Sequence, residues 1–430
     1  MKKNTRRTRK VRNLIFVCAL CAILLTVSTY AWFIGMKTVN VASFDIEIAT
    51  TEGLFLSMDG ENWSYTLDAR NADAYTGNTN SWAEDGLIPV STVGDMDATV
   101  SRMKLFEKGS LTTTKGGYRL LTSRVDNYKT NATGTGLNQG EGYVVFDLFI
   151  KNLSGNEYYT ENNVLNEEAI YLTTNSEVTV SENGVANTGI ENSVRVAFAQ
   201  IGRVEGNTAG ETGVKNITDI TCSNVEKAEG QVQVTGICRS AQIWEPNDTK
   251  HVQNALNWYN TSCRIRKSTG NDVTLAASYD VDSTCTEVGL TAAVPTYAIS
   301  REIKIADNVD VYDGEKYNTY SENTIESDEY ETYAETEDKS GYKLVSFPYF
   351  TDTMKDKTGV ERPEFMTLAP NSITKVRVYV YIEGQDIDNY DFASLGKQIS
   401  VKFGFTKERF TEDDVDYEGP STDITPTNGE

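Results

Sequence analysis

Apolar residues recur along this chain in two patterns. Residues 14–36, LIFVCALCAILLTVSTYAWFIGM, form one apolar run of 23 residues without a charged side chain. Beyond it, apolar and polar positions alternate in short runs, the period of half-buried strands. In residues 142–152, Val144, Phe146, Leu148 and Ile150 share one parity and are predicted to face a core. Val145, Asp147, Phe149 and Lys151 share the other. In residues 373–382, Val376, Val378, Val380 and Ile382 alternate with Lys375, Arg377, Tyr379 and Tyr381, an antiparallel signature. Residues 40–50, 169–180, 194–201, 297–305, 342–350 and 399–405 supply further strands. Asp59-Gly60 between apolar runs predicts a hairpin turning toward Trp63-Ser64-Tyr65. Arg195, flanked by Val194 and Val196, is expected to point outward or to pair with a carboxylate.

Two stretches read as helices. Residues 249–259 place Val252, Ala255, Leu256 and Tyr259 at i, i+3, i+4 and i+7 behind Asp248 as N-cap. Residues 95–107 are expected to hold a short helix around 103–106. Strand candidates on both sides of residues 206–296 then predict one all-β, antiparallel, jelly-roll-like sandwich, built from residues 37–205 and 297–408. Residues 206–296 read as a cysteine-containing insertion in it, or alternatively as a separate small domain. Residues 409–430 read as a loose acidic tail.

The first apolar run fixes location more firmly than activity. Residues 1–13 carry seven cations and no anion. As a helix, residues 14–36 would reach about 34 Å, enough for a hydrocarbon core of about 30 Å. A basic start, an apolar middle and small residues are equally the layout of a secretory signal, with a cut expected near Ala31 and Trp32. In a retained anchor, Tyr30 and Trp32 would sit at the membrane–water interface. Either way everything after residue 36 is expected outside the cell, secreted or held at the membrane by a single pass.

Charge excludes one class of partner. The chain carries a formal charge of −22, and the part beyond the basic leader has 33 Lys and Arg against 62 Asp and Glu. Such a surface repels phosphate backbones, which argues against nucleic acid, and calcium is the cation it would attract. Residues 322–338 concentrate eight acidic residues without a cation, an expected solvated block without EF-hand spacing.

Cysteine usage fits export. Cys18 and Cys21 lie inside the apolar run and read as small apolar residues. Cys222, Cys238, Cys263 and Cys285 cluster in one stretch and suggest two disulfides, with three pairings open. Each would contribute about 2–4 kcal/mol.

Thr29-Tyr30-Ala31-Trp32-Phe33 resembles the export signals of the TasA/camelysin-type surface proteins of Gram-positive bacteria, which end in Thr–aromatic–Ala followed closely by Phe. Residues 39–48 resemble the first mature strand of that group, and residues 376–388, VRVYVYIEGQDID, look like a late strand and turn of related exported β-proteins. The resemblance implies a jelly-roll-like sandwich, processing by a dedicated signal peptidase and assembly into extracellular matrix fibres. It supplies no catalytic residues. This chain is longer, and residues 222–285 have no counterpart in the pattern.

No reacting set is evident. His251 is the only histidine, which excludes H-E-x-x-H and makes it the sole partner for any Ser–His dyad; it reads as a surface residue. G-x-S-x-G, P-loop and dinucleotide fingerprints are absent. Ser101 and Lys104 match S-x-x-K, and Lys357-Thr358-Gly359 matches K-T-G of penicillin-binding acyltransferases, but S-D-N is missing. Asp386 and Asp388 are one carboxylate pair for glycoside hydrolysis, and read as turn residues. The expectation is therefore a non-enzymatic, cofactor-free surface protein, a matrix component or adhesin that self-associates through sheet edges. The alternative is a surface module binding glycan, peptide or calcium, with Trp63, Trp82, Trp244 and Trp258 as aromatic candidates. An exported hydrolase is the third reading.

Overall fold

A computed structural model of the chain describes residues 41–411 and 414, apart from 52, 70–74, 76–77, 83–86, 88, 99–100, 108–109, 115–116, 122–142, 182–187, 211–212, 218–231, 258–288, 295–296, 299–344, 347 and 390–396. The apolar run 14–36, the cut near Ala31 and Trp32, the acidic block and nearly all of the tail lie outside the described residues. No described helix is long and apolar enough to cross a membrane.

The described chain is built of strands. Fourteen of them make two sheets: β1 (Val41–Thr50), β2 (Leu54–Ser57), β3 (Thr66–Asp68), β4 (Asn80–Ser81), β5 (Tyr143–Asn152), β6 (Glu168–Leu172), β7 (Glu177–Val180), β8 (Val194–Glu205), β9 (Thr235–Gly236), β10 (Gln242–Glu245), β11 (Phe350–Thr351), β12 (Met366–Leu368), β13 (Ser372–Ile382) and β14 (Lys397–Thr406). The six-stranded sheet runs β12-β6-β14-β1-β3, with β7 also paired to β14. The eight-stranded sheet runs β11-β10-β8-β13-β5-β2, with β9 on β8 and β4 on β5. Early and late strands pair in both sheets.

One apolar layer joins the sheets. Val144, Phe146, Leu148 and Ile150 of β5 and Val376, Val378, Val380 and Ile382 of β13 face it, as the alternation predicts. Ile46 and Ile48 of β1, and Ile399, Val401, Phe403 and Phe405 of β14, meet them from the other sheet. Phe198 sits among Phe365, Phe403 and Phe405 in edge-on contacts with centroids 5.0–5.6 Å apart. The outer face of the six-stranded sheet is wet, with Glu47, Glu177 and Lys402 exposed.

Three sequence expectations change. The sheets are mixed rather than purely antiparallel, because β1 and β14 run parallel from Val41↔Lys397 to Thr50↔Phe405, and β10 and β11 are parallel too. Alternation reports burial and carries no strand direction, so it cannot distinguish the two. Residues 95–107 form short strand pairs, Met96–Asp97 with Arg102–Met103 and Phe106–Glu107 with Val90–Ser91, instead of a helix. They pack Met103, Leu105 and Phe106 inward, and tertiary burial overrides the weak local propensity. Parts of residues 206–296 belong to the sandwich itself: β9 and β10 extend the eight-stranded sheet, and Val214, Ile217, Ile243 and Trp244 are buried.

The helix expected over 249–259 is helical over 253–257, with 258 and 259 outside the described residues. Asp248 does not cap it; its carboxylate accepts from the N–H and hydroxyl of Thr353. The Asp59 turn forms as expected, with Leu56 and Ser64 exchanging backbone hydrogen bonds and Gly60 at φ 77°. A Cβ at Gly60 would meet Val214 at 2.7 Å, so glycine serves both the turn and the close approach of the chain above it.

Candidate functional site

The second face of the eight-stranded sheet is where the charges of β5, β8 and β13 lie, and it is covered. Val90, Met103, Leu105, Tyr349, Tyr379 and Tyr381 form part of an apolar layer over one half. Phe149, Ile201, Val204, Val214, Ile217 and Ile373 cover the other half. Charged side chains on this face are therefore desolvated and must find partners.

At the end of β13 they form a knot. Arg195 of β8 is fully buried and its Nη2 pairs with Glu245 of β10 and, at 2.5 Å, with Asp386 Oδ2. Its Nη1 donates to the carbonyls of Asn192 and Val194. Burial opposes the charge of Arg195, but Glu245 and Asp386 outweigh it and push the pKa up.

Glu383 follows β13 directly and is also fully buried. Burial pushes its carboxyl up to about 8, against the pull of Arg195, Ser91, the Gln385 N–H and Tyr349. A neutral Glu383 also satisfies a proton count. Tyr349 has one hydroxyl proton but sits 3.1 Å from both the Thr92 carbonyl and Glu383 Oε2. A protonated Glu383 supplies the second hydrogen.

His251 and Asp388 are the adjoining pair. Nδ1 lies 2.7 Å from Asp388 Oδ2 and Nε2 lies 2.9 Å from the Ala292 carbonyl. Both partners are acceptors, so a ring protonated at both nitrogens satisfies both. Burial works against that charge, but the bond to Asp388 and its negative charge raise the His251 pKa. Asp388 is itself held up at about 6 by burial, against the His251 bond. The side chain of His251 is only 4% exposed, which corrects its reading as a surface residue. Its partners are tertiary and leave no trace in the local periodicity.

Two further clusters serve the same sheet. Asp147 of β5 lies opposite Arg377 of β13 and also bonds Lys375 Nζ at 3.1 Å. Burial raises the Asp147 pKa, and Arg377 and Lys375 more than reverse it. Arg377 Nη1 reaches on to the Ser101 carbonyl at 2.7 Å and so fixes the covering turn. Near β6, Glu167 takes Arg203 at 2.6 Å and Arg239 at 2.8 Å.

The sequence candidates for chemistry are not brought together. Ser101 sits in a turn at φ 53° and on no helix, while Lys357 pairs with Glu361 at 3.9 Å on the surface. Asp386 and Asp388 are spent on Arg195 and His251. Trp244 is fully buried and its Nε1 donates to Asp352, so it offers no face to a ligand. Trp82 stacks on Phe146 at 6.2 Å, Trp63 lies half-buried with Lys151 Nζ 4.4 Å from its centroid, and Trp258 is outside the described residues. Cys238 is disulfide-bonded; Cys222, Cys263 and Cys285 lie outside the described residues, and the pairing stays open. Among the described residues no three His, Cys, Asp or Glu converge on a metal position.

What the geometry does present is an edge. β1 has β14 along its whole length on one side, but β3 covers only Glu47–Ala49 on the other. Thr50 N donates toward β3 at Tyr65 and Thr51 N toward β14 at Phe405. By alternation the N–H groups of Phe44 and Ile46 face the side that β3 leaves open among the described residues. Apart from the carboxylate pairing expected as one option for Arg195, sequence reasoning missed the buried ions, although lone charges such as Asp147 and Arg377 inside apolar strands were a readable signal. Compared with known proteins, the chain matches no family model, no curated protein and no solved structure.

Proposed function

We propose that the chain is an exported structural protein of the cell surface or extracellular matrix, acting by shape and contact rather than by catalysis. The observation that carries this reading is the half of β1 that no described strand covers on one side. This ten-residue strand begins five residues after the apolar leader and lacks a described neighbour along Val41–Ile46 on one side. An unpaired strand edge is a template for another chain. The consumption of Arg195, His251, Asp386 and Asp388 in mutual pairs supports the non-catalytic half of the reading. The resemblance of residues 29–33 to TasA/camelysin-type signals supports export and fibre formation. Negative-stain microscopy of the protein shed from or held on its producing cell tests it: filaments or ordered arrays are expected, and monodisperse particles under cell-surface ionic conditions overturn assembly.

A second reading, a surface module binding a glycan or peptide, is favoured by one observation. A polar cleft of about 270 Å³ opens between Asn175, Glu177, Thr249, Lys250, Thr353 and Asp356. Glycan-array binding that is lost on Lys250→Ala would select this reading over the first.

A further inference from the structure

We propose that Lys407 and Asn152 become joined by an intramolecular isopeptide bond, with Glu168 carrying the proton, so that the two sheets are linked covalently at one end. The three side chains come from different strands. Asn152 ends β5 in the eight-stranded sheet, Glu168 opens β6 in the six-stranded sheet, and Lys407 follows β14.

One carboxylate oxygen gathers both reactants. Lys407 Nζ is 2.8 Å from Glu168 Oε2, and Asn152 Nδ2 is 2.9 Å from the same atom. Lys407 Nζ also donates to the carbonyl of Leu153, the residue after Asn152, at 3.0 Å. The amine is thus held beside the carboxamide from two directions, the arrangement that turns a bimolecular step into a unimolecular one. The amide is oriented as well. Nδ2 donates to Glu168 and to the Ala369 carbonyl, both acceptors, which fixes its nitrogen. Asn152 is fully buried, and its Oδ1 has no hydrogen-bond partner among the described residues. Gly53 lies alongside, and a Cβ added there would stand in ordinary contact, 3.6 Å from both Lys407 Cδ and the Leu153 carbonyl oxygen.

The chemistry balances without an oxidant or cofactor. Lys407 passes one proton to Glu168, and the freed amine attacks Asn152 Cγ, forming the C–N bond. Glu168 returns the proton to Nδ2, the Cγ–Nδ2 bond breaks, and the departing ammonia takes the second proton from the attacking nitrogen. One ammonium and one carboxamide become one secondary amide and one ammonium ion. Glu168 is held by Lys407, Ser154, Asn152 and Asn156, so taking up a proton runs uphill. The step is therefore a slow, single self-processing event after folding rather than a turnover.

The inference is independent of the function proposed above and is read directly by mass. The folded full chain, purified from its producing cell, then reduced, alkylated and digested, should yield one branched peptide containing both Asn152 and Lys407. Its mass should be about 17 Da below the sum of the two linear peptides, the loss of one ammonia. Lys407→Arg, which keeps the cation beside Glu168, and Glu168→Gln should each restore the two linear peptides. Full recovery of unmodified Asn152 and Lys407 peptides from the wild type overturns the proposal. So does a 17 Da loss confined to the Asn152 peptide, which would be a cyclic imide with its own backbone. A branched peptide that persists in Glu168→Gln overturns the role given to Glu168.

Discussion

Arg377 Nε donates to Asp147 Oδ1 at 2.8 Å and its Nη2 to Oδ2 at 3.2 Å, a two-point pair between residues directly opposite each other in the β5–β13 register. Both side chains are at most 5% exposed. The pair is the central fastening between the middle of the eight-stranded sheet and the chain that covers it, since the same guanidinium reaches Ser101.

Removing one partner leaves the other charged and buried. Asp147→Ala is expected to cost about 3–5 kcal/mol in chemical denaturation. Replacing Asp147, Lys375 and Arg377 together by Leu, Met and Met should recover most of that loss. Because the folded Asp147 pKa is depressed, its contribution is present above the unfolded aspartate value of about 3.9 and is lost as pH falls through the folded value.

Glu383 has the opposite sign. Its folded pKa of about 8 lies above the ordinary glutamate value, so between the two the folded state binds more protons than the unfolded. Its contribution is full at low pH and falls as pH rises toward 8, with a slope of at most about 1.4 kcal/mol per pH unit. Glu383→Gln should flatten this part of the stability profile, measured by urea denaturation from pH 5 to 9. Equal slopes in the two proteins would refute a neutral Glu383.

His251 is the only histidine, so its ring protons are unambiguous in an NMR titration. The folded pKa should lie above about 6.5. Asp388→Asn removes the ion pair and leaves burial dominant, and the value should then fall below the wild-type one. The stability that the charged ring supplies is present below the unfolded value and lost as pH rises through the folded one.

The open edge has its own test. Phe44→Pro deletes an N–H that faces away from β14, whereas Phe44→Ala keeps it. Filament yield should fall sharply in the proline variant and stay close to wild type in the alanine variant, with matched circular dichroism. Equal filament yields would place assembly elsewhere on the surface.

How much of this was legible depended on whether a pattern was local. The parity of Val144–Ile150 and of Val376–Ile382 fixes which side chains enter the core, and the sandwich follows from it. The same alternation makes Lys375 and Arg377 look like a wet face, because the segments that cover them come from residues 90–107 and 214–217. Arg195 was readable as an ion pair, but its partners Glu245 and Asp386 lie 50 and 191 residues away. The direction of β1 relative to β14 is set by how the chain ends return to one another, and no window of residues records it. His251 illustrates the same limit: the periodicity placed it on a helix that begins only at 253, and its partners Asp388 and Ala292 arrive from elsewhere.

The parallel pairing of the first and last described strands bears on how the molecule carries tension. The chain enters β1 at Val41 and leaves β14 at Thr406, at opposite ends of one ribbon whose register runs through nine residue pairs. A pull on the two termini therefore loads that ladder in shear, with its hydrogen bonds strained together, instead of unzipping them one by one.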